Sequence, residues 1–164
     1  MCGFDLTKIH GIGLKTAKII ASELGPNFDC FPDEHHFASY IGLAPSLGKS
    51  AGKDVRHRKR GKNTSRVGLA LRMAALTVGR TQTALGAYYR NVAQRTDKKT
   101  AVKATARRMA ILIYRGVRYG QEYNDCGVEA YEARKRERTV KTVNKLIKAY
   151  NINSSEIAGA LKAV

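Results

Sequence analysis

The stretch that decides the fold runs from Asp97 to Gly120, DKKTAVKATARRMAILIYRGVRYG. Val102, Ala106, Met109, Ile113 and Val117 recur at steps of four, three, four and four, the period of one face of an α-helix. Lys98, Lys99, Lys103, Arg107 and Arg108 fall on the other side, while Asp97 suits the N-cap and Gly120 the stop. Working outward, the other periodic segments have the same period. Val67, Leu71, Ala74, Ala75 and Val78 line a second face, with Asn63 or Thr64 as the predicted cap, and Thr83–Gln94 carries Leu85 and the pair Tyr88–Tyr89. FPDEHHFASYIG over 31–42 predicts a short helix capped by Asp33 that buries Phe37, Tyr40 and Ile41. Ile12, Thr16, Ile19 and Ile20 mark another, stopped at Gly25-Pro26. Beyond Glu129, the pairs Glu132–Arg136 and Glu137–Lys141 and a narrow stripe of Val140, Val143, Ile147 and Tyr150 predict a long helix. Asn153-Ser-Ser-Glu156 reads as a capping box for a last one. No strand pattern, internal repeat or low-complexity tract stands out. The prediction is all-α: a helix-hairpin-helix-like start, a basic loop and a small helical bundle.

The chain has 164 residues with 43% hydrophobic content, enough for one core and a small satellite. Thirty Lys and Arg against 13 Asp and Glu give a net charge of +17 and a pI near 10.1. Neutralising phosphates releases counterions, so that balance predicts nucleic-acid binding. No apolar run reaches a membrane span, and Met1 does not open a signal peptide, which predicts a cytoplasmic protein without a membrane partner. Cys2, Cys30 and Cys126 are odd in number and far apart, and no Cys or His spacing predicts a metal site.

Much of the positive charge is concentrated in Tyr40–Arg66, YIGLAPSLGKSAGKDVRHRKRGKNTSR. Lys49, Lys53, Arg56, Arg58, Lys59, Arg60, Lys62 and Arg66 face the single acid Asp54, a net +7 over eighteen residues. A solvated helix face mixes signs, whereas a one-signed run broken by Gly, Ser and Asn predicts a loop on a polyanion. Ser50 sits inside it between Gly48 and Gly52. A small hydroxyl flanked by glycines and cations can approach a phosphate as a nucleophile, or can simply make a turn. Earlier, Ile9-His-Gly-Ile-Gly13 places Gly11 and Gly13 in a tight turn directly ahead of a helix N-terminus, with Lys15 and Lys18 behind it. Backbone amides and the positive end of the helix dipole there predict a phosphate contact without sequence reading. Tyr88 and Tyr89 are weaker candidates for chemistry or base stacking. The 13 acids are scattered, and none pair as a two-magnesium site would require.

The order of these motifs resembles a known family. L-x-x-I-x-G-I-G-x-x-T-A comes first, then F-x-x-Y-I-G-L-A-P, S-x-G-K-x-V-R, a Lys/Arg/Gly/Asn tract, L-R-x-A-A, A-Y-Y-R and K-x-A-x-x-A-x-A-R-R-M. Over roughly Leu6 to Tyr123 this is similar to the C-terminal transposase domain of the IS-one-ten family of insertion-sequence transposases, relatives of the pilin-gene invertases. The resemblance implies a serine that attacks DNA and becomes joined to it. By position after G-L-x-P that serine is Ser50, with Ser46 as the nearby alternative, and Lys53 and Arg56 are the basic residues that follow. It further implies a separate ribonuclease-H-like acidic domain that binds Mg2+, DNA partners at the element ends and target, a guide RNA in some members, and homo-oligomers.

These readings divide the chain into a hairpin motif over 1–26, a transposase helical domain over 27–125 with its serine loop at 46–66, and a basic helical extension over 126–164. The expected function is the DNA-binding, strand-exchange portion of a serine-dependent transposase without its acidic metal-binding domain. Alone it is expected to bind nucleic acid, to bind no cofactor and to be inactive as a recombinase. The alternative is a non-catalytic helix-hairpin-helix DNA- or RNA-binding module, as in small-subunit ribosomal proteins with an I-x-G-I-G hairpin.

Overall fold

Asp97 opens helix α5 (Lys98–Tyr119): its carboxylate accepts from the Thr100 N–H at 2.7 Å, and Gly120 closes the helix at φ 64°, ψ 17°. Against it pack α2 (Glu34–Tyr40), α3 (Arg66–Val78) and α4 (Ala84–Arg95), while α1 (Leu14–Leu24) packs on α3. This arrangement comes from a computed structural model that describes residues 3–45, 49–50, 53–54, 65–151 and 153. The chain is all-α. A 3-10 turn over Leu6–Lys8 precedes α1, and two strands of two residues, β1 (Lys49–Ser50) and β2 (Lys53–Asp54), pair antiparallel. Two residues are too short to leave an alternating pattern, so this ladder had no sequence signal.

The apolar faces meet as their spacing requires. Ala106, Met109 and Ile113 of α5 and Val67, Leu71, Ala74, Ala75 and Val78 of α3 are buried in one cluster, with Val102 and Val117 at its margin. Phe4, Ile9, Ile12 and Ile20 belong to the same cluster. Phe28, Phe31, Phe37 and Tyr114 also belong to it, with the stacked Phe28 and Phe37 rings 4.9 Å apart, and the buried Tyr114 hydroxyl donates to the Phe31 carbonyl at 2.9 Å.

Two sequence expectations need correction here. Tyr40 is 59% exposed, its ring only leaning on Phe31. Phe37, Ala38 and Ile41 take the inward arc of α2, and at 100° per residue Tyr40 falls outside it. The cap of α3 is Ser65, whose hydroxyl accepts from the Gly68 N–H at 3.3 Å, rather than Asn63 or Thr64.

The chain divides into two compact units, Met1–Asp125 and Cys126–Val164. In the second, α6 (Gly127–Tyr150) buries no residue: Val140, Val143, Leu146 and Tyr150 are exposed. Glu137 and Lys141 pair at 2.6 Å, whereas among the described residues Glu132 and Arg136 do not. Of the predicted capping box at 153–156, residues 154–156 lie outside the described residues.

Candidate nucleic-acid interface

The stem ahead of the predicted serine loop is built by the sequence Tyr40-Ile-Gly-Leu-Ala-Pro45 through elementary capping. Gly42 adopts φ 73° after the last turn of α2, its N–H donates to the Ser39 carbonyl (3.1 Å), and the Leu43 N–H reaches back to Ala38 (2.8 Å). That is a Schellman stop: glycine supplies the positive φ, and Leu43 at the next position is buried. Pro45 then prevents the helix from resuming. Two guanidinium groups hold the exit. Arg72 of α3 donates to the Gly42 carbonyl at 3.2 Å, and Arg107 of α5 donates to the Leu43 carbonyl at 3.5 Å and contacts His35 Nδ1 at 2.9 Å. The returning strand of the stem is fixed just as closely. A Cβ built on Gly68 would lie 2.1 Å from the Ile41 carbonyl oxygen, so the first turn of α3 rests directly on the end of α2.

Between these ends, β1 and β2 place Ser50 opposite Lys53 and Lys49 opposite Asp54. Arg56, Arg58, Lys59, Arg60 and Lys62, and the alternative Ser46, lie outside the described residues. Arg66 is exposed at the start of α3 and pairs with Glu23 at 3.4 Å.

At the hairpin, Gly11 has φ 89°, and a Cβ there would meet Val78 Cγ2 at 2.3 Å and the Ala74 carbonyl at 3.1 Å. Its absence of side chain therefore seats the turn against α3. Gly13 is different: it is the N-cap of α1, makes no side-chain cap, and has open space where a Cβ would stand. Behind it Lys15 and Lys18 are exposed. The preceding element is only the 3-10 turn, capped by Asp5 accepting from the Thr7 N–H at 2.9 Å. Asp125 braces the region, accepting from the Ala84 N–H at 3.0 Å and lying 3.9 Å from His10.

Gly11 abuts Val78 at the end of α3, whereas Glu23 reaches Arg66 at its start, so α1 runs antiparallel to α3. The Gly11 turn and Arg66 therefore lie at opposite ends of α3, about 18 Å apart at 1.5 Å per residue.

The A-Y-Y-R motif serves the turn between α3 and α4. Arg90 donates to the carbonyls of Gly79 (3.2 Å) and Thr81 (2.9 Å), Tyr89 covers Gly79, and Tyr88 lies under the Arg108 guanidinium at 4.9 Å. Sequence reasoning missed Arg72 and Arg107, which it placed merely off the apolar faces. Their signal is a long donor on a core helix opposite a glycine-capped helix end.

Near the stem, Asp33 caps α2 by accepting from the N–H groups of His35 and His36, both at 2.7 Å, and these bonds, His36 first, hold its carboxyl below the ordinary range. Glu34 takes a two-pronged bond from Arg115 at 2.6 and 2.8 Å, which depresses its pKa against the opposing effect of burial. Among the described residues no three His, Cys, Asp or Glu side chains gather as a metal site. Among the same residues no helix is long and apolar enough to cross a membrane.

No curated protein and no solved structure matches the chain. The model of the Transposase IS116/IS110/IS902 family, however, matches residues 5–90, a span that holds the hairpin, the capped stem, Ser50, α3 and the Tyr88–Tyr89–Arg90 motif. With more than half of its 164 residues matched, the chain belongs to the IS116/IS110/IS902 family of insertion-sequence transposases.

Proposed function

We propose that this chain is the DNA-binding, strand-exchange portion of a serine-dependent insertion-sequence transposase, with Ser50 as its nucleophile. The observation that carries the reading is the family match over 5–90, which spans Ser50 and the stem that positions its loop. Support comes from the Schellman stop at Gly42 and the two guanidinium groups on the loop exit, which fix a basic segment at its base. The Ser50 Oγ attacks a phosphodiester phosphorus, one deoxyribose oxygen leaves as a hydroxyl, and a serine–DNA phosphodiester remains. The serine proton goes to the departing oxygen, directly or through water. Lys49, Lys53, Arg56, Arg58, Lys59, Arg60, Lys62 and Arg66 stabilise charge on the phosphate and hold the duplex. The open N-terminus of α1 at Gly13, with Lys15, grips a second phosphate.

The partners are the element ends and a target, and in the complete assembly a homo-oligomer and a guide RNA. A separate acidic domain supplies the carboxylates for Mg2+. The test combines this chain with a polypeptide carrying that domain, Mg2+, the element-encoded RNA and labelled element ends. Strand exchange lost in Ser50→Ala and retained in Ser46→Ala is the expected result. Exchange that survives Ser50→Ala overturns the assignment. The uncapped α1 N-terminus also favours a second reading, a binding module without chemistry. That reading predicts unchanged salt-sensitive binding and no exchange from either protein.

A further inference from the structure

Helix α6 lies outside the span matched by the family, buries nothing, and carries no role in the reading above. Its cations are spread unevenly around the helix: Lys135 and Arg136 stand apart, and the others gather on one side. At 100° per residue, Arg134, Arg138, Lys141, Lys145 and Lys148 fall within an arc of about 80°. All five are exposed. Val140, Val143, Leu146, Ile147 and Tyr150 occupy the roughly opposite arc. Glu129 and Glu132 lie on that apolar side, and Glu137 stands at the edge of the basic row, where it reaches Lys141 at 2.6 Å. Among the described residues, none of the other four cations has an acidic partner. A helix exposed to water alone gains from alternating signs, because like charges three and four residues apart repel by a few tenths of a kcal/mol. This row instead repeats that unfavourable spacing four times in succession.

We infer that the basic row of α6 is a second DNA-binding element, a backbone contact for duplex DNA separate from the serine loop and the Gly13 hairpin. From Arg134 to Lys148 the row is straight and about 21 Å long at 1.5 Å per residue, the rise of about six base pairs at 3.4 Å each. A helix of this width enters a major groove about 12 Å across, with cations facing the phosphates on its wall. The long stems of Arg and Lys carry no base-reading arrangement here, so the contact anchors without specifying sequence. Family membership makes DNA the polyanion at hand. The contact does not depend on Ser50.

The test uses the intact chain and a fluorescein-labelled duplex of about 30 base pairs, with binding followed by anisotropy from about 50 to 200 mM salt. Each phosphate neutralised adds about 0.9 to the slope of log K against log salt. The variant Arg134→Gln, Arg138→Gln, Lys141→Gln, Lys145→Gln, Lys148→Gln keeps good helix formers throughout, and circular dichroism checks that helix content is retained. The slope should fall by about 3 to 4.5, whereas Lys135→Gln with Arg136→Gln, cations off the row, should change it by less than about 1. If the five-fold variant loses helix, Arg138→Gln and Lys145→Gln singly should each lower the slope by about 0.9. The assay reads binding and not strand exchange, which separates failure of this inference from failure of the nucleophile assignment. An unchanged slope in the row variants overturns the inference, as does an equal fall in the off-row control. Selective loss of binding to anionic phosphatidylserine vesicles or to single-stranded RNA, with duplex binding kept, overturns it in favour of those partners.

Discussion

Gly68 is where sequence logic and packing part most clearly. Within α3 it reads as a weak helix former costing about 1 kcal/mol relative to alanine. In the structure it is the contact that lets α3 rest on the end of α2, since a Cβ would stand 2.1 Å from the Ile41 carbonyl oxygen. Backbone cannot swing aside as a flexible side chain does. Gly68→Ala should therefore destabilise the protein by about 2 to 3 kcal/mol despite its better propensity, measured by urea denaturation. Nothing in one sequence distinguishes such a glycine from a tolerated one. Gly42 was more legible, because a glycine followed by an apolar residue and a proline after a short helix is the grammar of a Schellman stop. Glu34 gives a pH signature. Its folded pKa lies below the ordinary value of 4.5, so its pairing with Arg115 stabilises the fold fully above that value and ceases to do so as pH falls through the depressed one. Arg115 is 44% exposed on its side chain, which limits the effect to about 0.5 to 1 kcal/mol. Glu34→Gln should cost that much at pH 7 and almost nothing once the pH has fallen below the depressed pKa of Glu34, as read from paired denaturation curves.

Helices were legible as elements because their faces are periodic and their caps chemical. Asp33, Thr83 and Asp97 each accept from an N–H two or three residues on, as side chains of that size must when they precede a helix. The α3 cap moved to Ser65 because three adjacent residues, Asn63, Thr64 and Ser65, are all good cappers, and only the inward register of Val67 and Leu71 selects among them. The β1–β2 ladder escaped because four residues carry no period. The guanidinium clamp escaped for another reason: Arg72 and Arg107 are sequence-distant from Gly42 and Leu43, and each looks like an ordinary polar residue beside an apolar face. At this scale the clamp predicts a separation of binding from chemistry. Arg107→Gln frees the Leu43 carbonyl and loosens the loop exit without removing a loop cation. The yield of the serine–DNA adduct should fall by about tenfold or more, while duplex affinity at fixed salt changes by less than about threefold. An equal loss of affinity and adduct would make Arg107 a phosphate ligand instead.

Over the whole molecule, charge and topology carry the account. A net +17 was enough to name a polyanion partner from composition. It could not say that the Gly11 turn and Arg66 occupy opposite ends of α3, because that follows from the antiparallel packing of α1 on α3. Nor could periodicity alone foresee that the stripe on α6 faces outward, since an apolar stripe looks the same whether or not a partner covers it. The order of motifs over roughly Leu6 to Tyr123 pointed to the family and to the segment around Ser50, and the structure adds the Schellman stop at Gly42 ahead of that segment. The central claim is that Ser50 forms the covalent bond to DNA. The most direct measurement is mass-spectrometric mapping of the nucleotide-bearing peptide after protease and nuclease digestion of the complete assembly, trapped on nicked element-end DNA. The account predicts a single nucleotidyl adduct on Ser50, absent in Ser50→Ala. An adduct on Ser46, Tyr88 or Tyr89, or active strand exchange with no protein-linked nucleotide, would contradict it.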